Sequence, residues 1–256
     1  MVKTSNMVKE FKGPKNKYAN KITVSKRDRI VIKLSGSIFN QETQSNTIKG
    51  YAKMLAGLST IFQPLVIAGG GKIARHYIHL ARLLGSDEAS LDSIGIYVSR
   101  LNAQLLTIAL GECAYSQVPK NLDEISIAVE SGKIVVSGGL HPGQSTNATS
   151  ALIAEKVRAS RFLNATDVDG IYNSDPNTNR KARLFREITI DECIEILKKG
   201  SSMAGTYDLI DLVALKVIER SRIPTVVLRS DVKNIKNAVT GKMYTGTEII
   251  MAKKRS

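Results

Sequence analysis

From residue 29 onward, short β-branched apolar runs alternate with stretches whose apolar residues recur every three to four positions. The runs are Arg29–Leu34 (RIVIKL), 65–68, 133–137, 161–165 and 225–228, and each predicts a buried strand. Helical spacing covers 46–59, where Ile48, Tyr51, Ala52 and Leu55 share a face, and then 72–84. A longer helix is predicted over 92–112, with Leu101, Leu105, Ile108 and Ala109 on one face. Further helices are predicted at 147–157, 190–199, 209–221 and 232–239, and 247–250 predicts a last edge strand. This alternation implies an α/β fold with a mostly parallel sheet covered on both faces. Ligands of such sheets bind outside the carboxyl ends of the strands, so the loops after strands are the places to look. No period of 20–50 residues repeats, which excludes a solenoid.

Four of those loops are unusual. Lys33-Leu34-Ser35-Gly36-Ser37 places a lysine near the end of a buried strand, which is costly unless its ammonium emerges beside anions. The alternative is a lysine snorkelling at the strand end. Gly69-Gly70-Gly71-Lys72-Ile73-Ala74-Arg75 puts bare amides at a helix N-terminus, an anion site by geometry and dipole, with Arg75 one turn in. It also fits G-x-G-x-x-A, with Asp87, Glu88 and Asp92 about twenty residues on, but that fingerprint belongs after a first strand and here follows the second. Gly138-Gly139-Leu140-His141-Pro142-Gly143-Gln144-Ser145-Thr146 offers amides, two hydroxyls and a side-chain amide just before a helix. Asp92 would complement it with a carboxylate suited to ribose, or would serve as a helix N-cap. The fourth loop, 164–176, sets Asp167 and Asp169 after a strand but lacks the ligand pattern of an EF-hand. Walker A and G-x-S-x-G are absent, and His76, His79 and His141 are too scattered for a metal site.

Composition narrows the field. With 43% apolar and 23% charged residues in 256, the chain has a globular composition and the length of one large domain or two small ones. No apolar run reaches the roughly 18 residues of a membrane span. Cys113 and Cys193 are distant and form no CxxC, which argues against a disulfide scaffold or zinc ribbon and for a reducing, cytoplasmic setting. The net charge of +14 suggests a nucleic-acid partner until its distribution is considered. Residues 1–29 hold nine Lys/Arg and two Asp/Glu, half of the excess in about a ninth of the chain. The body is only mildly basic, as suits an enzyme of polyphosphates. Residues 1–28 lack the apolar centre of a secretory signal and read as a disordered leader, with an RNA- or partner-binding arm as the alternative.

Five motifs in order then point to a family: Lys33-Leu-Ser-Gly-Ser, Gly69-Gly-Gly-Lys-Ile-Ala-Arg, Ile94-Gly95-Ile96 with Arg100-Leu101-Asn102-Ala103, the 138–146 loop, and Thr166-Asp-Val-Asp-Gly-Ile-Tyr-Asn-Ser-Asp-Pro. Together they resemble the amino acid kinase superfamily and, within it, the archaeal type of uridylate (UMP) kinase, over about residues 29–250. The resemblance implies a three-layer α/β/α sandwich with an eight-stranded, mainly parallel sheet. It implies a single domain over 29–256, with a lobe over about 29–160 for UMP and one over about 161–250 for ATP. Gly36 and Ser37 would bind ATP phosphates, with Gly71 and Arg75 beside them. Gly70, Asp92, Leu140, His141, Pro142, Gly143, Gln144, Ser145 and Thr146 would hold UMP. Thr166, Tyr172 and Asp175 would hold the ATP nucleoside. Lys33 would face the transferred phosphoryl group, Lys216 would be a second lysine near the ATP phosphates, and Asp167 would orient both. The same resemblance implies magnesium bound with ATP, no dedicated protein metal site, and a homo-oligomer, a hexamer in the family. The sequence leaves three rival readings: a superfamily member with another acceptor, a dehydrogenase resting on the glycine match, and an RNA-binding protein resting on charge.

Overall fold

All of β2 (Gln63–Ala68) and all but the first residue of β1 (Arg29–Leu34) are buried, so both sheet faces must be covered. The computed structural model describes residues 27–174, 176, 179–198 and 209–251. Within them β1, β2, β3 (Val135–Ser137), β4 (Arg161–Thr166), β5 (Glu187–Thr189), β6 (Thr225–Arg229) and β7 (Gly246–Ile250) form one sheet, ordered β3-β2-β1-β4-β6-β7-β5. Eight helices accompany it: α1 (Ser45–Leu58), α2 (Gly71–Leu83), α3 (Glu88–Leu110), α4 (Leu122–Val129), α5 (Thr146–Lys156), α6 (Ile190–Lys198), α7 (Leu212–Ser221) and α8 (Val232–Val239). Successive side chains of a strand point to opposite faces. Ile30, Ile32 and Leu34 pack with α1, α3 and α8, while Val31 packs with α4, α5, α6 and α7. Each such side chain stabilises the fold by about 1.5–3 kcal/mol relative to exposure. The result is the expected three-layer sandwich. Lys33 falls on the face of Val31, at the carboxyl end of the interior strand β1.

The pairing is parallel from β3 through β6, and β7 runs antiparallel to β6 and parallel to β5. The described residues contain seven strands rather than the expected eight. The segment expected as an edge strand, 247–250, is interior, because β5 pairs on its far side. At three residues, β5 is too short to show a strand's alternation. The sequence reading also missed α4. Its signal was there: the Asn121 side chain accepts from the amides of Asp123 and Glu124, and Glu124 reaches back to the Lys120 amide at 2.7 Å. That arrangement resembles a capping box, with the return bond made to the residue before the cap.

Two corrections concern α3. It begins at Glu88, with Asp87 as its N-cap, so Asp92 lies inside the helix and does not cap it. The face carrying Leu101, Leu105 and Ile108 is not the core face. Leu101 and Ile108 are 61% and 68% exposed, and the helix buries Leu91, Ile96, Ser99, Asn102, Ala103, Leu106 and Leu110 instead. Both faces of α3 are apolar, so periodicity alone cannot choose between them.

Residues 1–26 of the expected leader lie outside the described residues. Arg27 and Asp28 belong to the body. The Arg27 guanidinium donates to the carbonyls of Ser59 and Gly132, and the Gln63 amide donates to the Asp28 carbonyl at 2.8 Å.

Candidate active site

Sheet order reverses between β1 and β4: β2 and β3 lie to one side of β1, and β4, β6, β7 and β5 lie to the other. A crevice outside the carboxyl ends of these strands is the expected ligand site of an open α/β sheet. A cleft of about 460 Å³ opens there, lined from the β1 loop by Lys33, Gly36 and Ser37, and from the β2 loop by Gly70, Gly71 and Arg75. Ser145 and Thr146 line it from the start of α5, and Thr166 and Asp167 from the end of β4. A second cleft of about 220 Å³ adjoins it, lined by Asp92, Ile96, Gly139 and Gln144. The two share Gly70, Gly71, Arg75 and Thr146.

The glycine loops are pressed backbone to backbone. A Cβ on Gly36 would stand 2.1 Å from the Gly71 nitrogen, and Gly71, at φ +66°, would put one 2.3 Å from the Gly36 carbonyl oxygen. Only glycine fits both positions, and the contact fixes the β1 loop against the N-terminus of α2. Asn102, buried on α3, donates to the Gly69 carbonyl at 2.8 Å and holds the loop from behind.

Lys33 is 8% exposed, and its charge acts on Asp167. Ser35 and Ser37 donate their hydroxyls to the same Asp167 oxygen, Oδ1, at 2.6 and 2.5 Å. Burial pushes the Asp167 carboxyl up. The two hydroxyls and the charges of Lys33 and Arg75 outweigh it and hold the group below the ordinary aspartate range. The cleft therefore presents a fixed carboxylate flanked by cations.

On the other side, the Gly143 amide donates to Asp92 Oδ2 at 2.7 Å, tying the 138–146 loop to α3. Arg100 donates to the carbonyls of Gly139 and Leu140, at 3.0 and 3.1 Å, and Ser99 accepts from the Gly139 amide at 2.8 Å. Ser145 caps α5 and donates to Asp211, the cap of α7, so the two helix starts are joined at the floor of the large cleft. Leu140 is buried, while His141, Pro142 and Gly143 are exposed, and none of the four lines either cleft.

The remaining predicted residues divide. Tyr172 lies beyond the large cleft, its hydroxyl 3.3 Å from Asp169 Oδ2, and Asp175 lies outside the described residues. Lys216 is not brought to the cleft. The helix α7 turns Ala214, Leu215, Val217 and Ile218 inward, which leaves Lys216 on the solvent face, 2.8 Å from Glu219. Sequence reasoning did not assign site roles to Ser35, Ser99, Arg100, Asn102, Asp211 or Arg229. Ser35, Arg100 and Asn102 stood in the motifs named above, and Asp211 fell inside the helix predicted over 209–221, whereas it caps α7. Arg229 had no signal at all. A third cavity, about 340 Å³, lies between residues 40–42 and Lys72, His76 and Tyr77, and none of the predicted site residues lines it.

Residues 28–229 match the profile of the amino acid kinase family. The chain belongs to the amino acid kinase family. Among its curated relatives in that family, the uridylate kinase of Methanobrevibacter smithii is 41% identical over 223 residues, 87% of this chain and 99% of the relative. The uridylate kinase of Methanothermobacter thermautotrophicus is 43% identical over the same shares. The crystal structure of uridylate kinase from Archaeoglobus fulgidus superposes with a TM-score of 0.77 at 39% identity, covering 86% of this chain and 99% of that one. UMP kinase from Ureaplasma parvum, at 22% identity and a TM-score of 0.72, shares the fold.

Proposed function

We propose that the protein is a UMP kinase, a nucleoside monophosphate kinase that transfers the γ-phosphoryl group of ATP to UMP and yields UDP and ADP. The observation that supports it most is the pair of adjoining clefts that share Gly70, Gly71, Arg75 and Thr146. Two ligands seated there meet end to end at a helix N-terminus and a cation. Full-length relatives named uridylate kinase, at about two-fifths identity, support the acceptor.

The UMP phosphate is already ionised at neutral pH, so the reaction needs no strong base. Its difficulty is bringing two polyanions together, and catalysis is positioning plus positive charge. In this reading Lys33 faces the moving phosphoryl group. Gly36, Ser37, Gly71 and Arg75 hold the donor phosphates, and Asp167 keeps the cations in place. Gly70, Asp92, Gln144, Ser145 and Thr146 receive UMP, and Thr166 and Tyr172 receive the ATP nucleoside. No group of three His, Cys, Asp or Glu that could cage a metal occurs among the described residues. Asp167, engaged by two hydroxyls, suits an ion that arrives with ATP and keeps most of its water. Such magnesium supplies charge neutralisation on the donor phosphates.

The reading includes a homo-oligomer. Tyr97, Leu101, Leu105 and Ile108 on α3 and Leu80, Leu83 and Leu84 around α2 are large exposed apolar side chains on two helices that pack together, and a cluster of that kind supports association. It also includes a cytoplasmic setting, supported by two unpaired thiols, one exposed and one buried. No helix among the described residues is long and apolar enough to cross a membrane.

The test is an acceptor panel with ATP: UMP, CMP, dUMP, AMP and acetylglutamate. Gly139, Gln144, Ser145 and Thr146, the residues of the 138–146 loop that line the clefts, supply directional polar groups, and a base site of that kind rejects an analogue that leaves them unpaired. UMP is expected to be turned over far faster than AMP and acetylglutamate. Equal rates with UMP and AMP, or a preference for a carboxylate acceptor, contradict the reading.

A further inference from the structure

The loop that follows β4 is gripped from two sides. From the β1 side, the hydroxyls of Ser35 and Ser37 hold the Asp167 carboxylate. From the β6 side, one guanidinium does the rest. Arg229, the last residue of β6, lies opposite Thr166 in the ladder. Its Nε donates to Asp169 Oδ1 at 2.6 Å, and its Nη1 donates to the Asp167 carbonyl at 2.8 Å. Asp169 in turn accepts from the Tyr172 hydroxyl through its second oxygen. The backbone closes the arrangement, with the Ser230 amide donating to the Thr166 carbonyl at 2.7 Å.

We infer that Arg229 is a positioning residue for the donor nucleotide, holding Asp167 and Tyr172 in place through the 167–169 turn without touching substrate. This deepens the UMP kinase reading and rests on its assignment of the 166–172 segment to ATP. A planar fork suits the task, because one rigid group spans a carbonyl and a carboxylate that a single ammonium cannot reach together. The pair is half exposed, and ion pairs of that kind add little to global stability, so its geometry points to local order.

The experiment measures ADP and UMP affinities separately, by calorimetry on the full chain with magnesium present, for the wild type, Arg229→Ala and Arg229→Lys. Arg229→Ala is expected to weaken ADP about tenfold, the order that loss of a charge-assisted hydrogen bond brings. UMP affinity should stay within about twofold and the thermal midpoint within a few degrees. Arg229→Lys should recover only part of the loss. Adding Asp169→Asn to Arg229→Ala should cost little more than the first change alone, since both break the Arg229–Asp169 contact and an asparagine oxygen still accepts from the Tyr172 hydroxyl. Wild-type ADP affinity in Arg229→Ala, equal losses for ADP and UMP, or full recovery by lysine each overturn the inference. A wild type that binds ADP but phosphorylates no UMP contradicts the acceptor reading and leaves the Arg229 result standing. A wild type that binds no ADP overturns both.

Discussion

Lys33 is buried at the carboxyl end of β1 and lines the cleft. A charge held there acts most strongly where phosphoryl charge shifts during transfer, so its removal should lower kcat more than it raises either KM. Lys33→Ala is expected to cost about 10²–10³ in rate, and Lys33→Arg should rescue poorly. Lys216→Ala should leave the rate within about twofold, because its ammonium spends its charge on Glu219 at the surface. Steady-state kinetics with both substrates varied read all three variants; a wild-type-like rate for Lys33→Ala would move the burden to Arg75. Asp167 adds a pH statement. Its carboxyl is depressed in the fold, so its stabilising bonds are fully present above the unfolded value and are lost only as pH falls through the depressed one. Titration of Asp167 therefore lies below the ordinary aspartate range and shapes no limb of a neutral pH–rate profile. Lys33, Gly36 and Asp167 were legible because each sits in a short motif at or just past the end of a strand. Arg229 was not, since its partners lie sixty residues away and nothing near it in sequence marks them.

Elements were legible where one physical signal decided them. The first two strands are continuous β-branched runs, and the structure returns β1 with the predicted bounds and β2 two residues longer at its start. The helix predicted over 92–112 was found, but its buried stripe was not, because α3 carries apolar residues on two faces. Three-residue β5 is too short for alternation to show, and nothing local reveals it; α4 is no shorter than α8, which was read, and its cap residues Asn121 and Glu124 were the cue that was missed. The contact between the β1 and β2 loops is an element-scale claim with a direct test. Gly36→Ala would drive a methyl carbon into the Gly71 backbone, and neither loop can yield without moving the start of α2. The variant is expected to lose about 1–3 kcal/mol of stability and most of its activity. A chemical denaturation series checks the first and the rate with saturating substrates the second. By contrast, Gly57→Ala in α1, where an added Cβ meets nothing within 4 Å, should be silent or mildly stabilising.

At the scale of the whole molecule, topology does what no single motif can. The reversal of strand order beside β1 gathers loops from residues 33–37, 69–75, 145–147 and 166–168 around one crevice. The net charge of +14 gave less guidance, because half the excess lies in residues 1–29. Deleting residues 1–26 is expected to preserve kinase activity, whereas deletion through Asp28 should also lower the thermal midpoint, since it removes the Arg27 bridge to Ser59 and Gly132. Equal midpoints for the two truncations would count against that bridge. Direct transfer requires both nucleotides to be bound at once, meeting end to end where the two clefts join. Initial velocities with ATP and UMP both varied, and UDP and ADP both quantified, test it most directly. Direct transfer gives intersecting reciprocal plots, UDP and ADP in equal amounts, and no ADP without an acceptor; parallel plots, or ADP released before UMP is added, would rule it out.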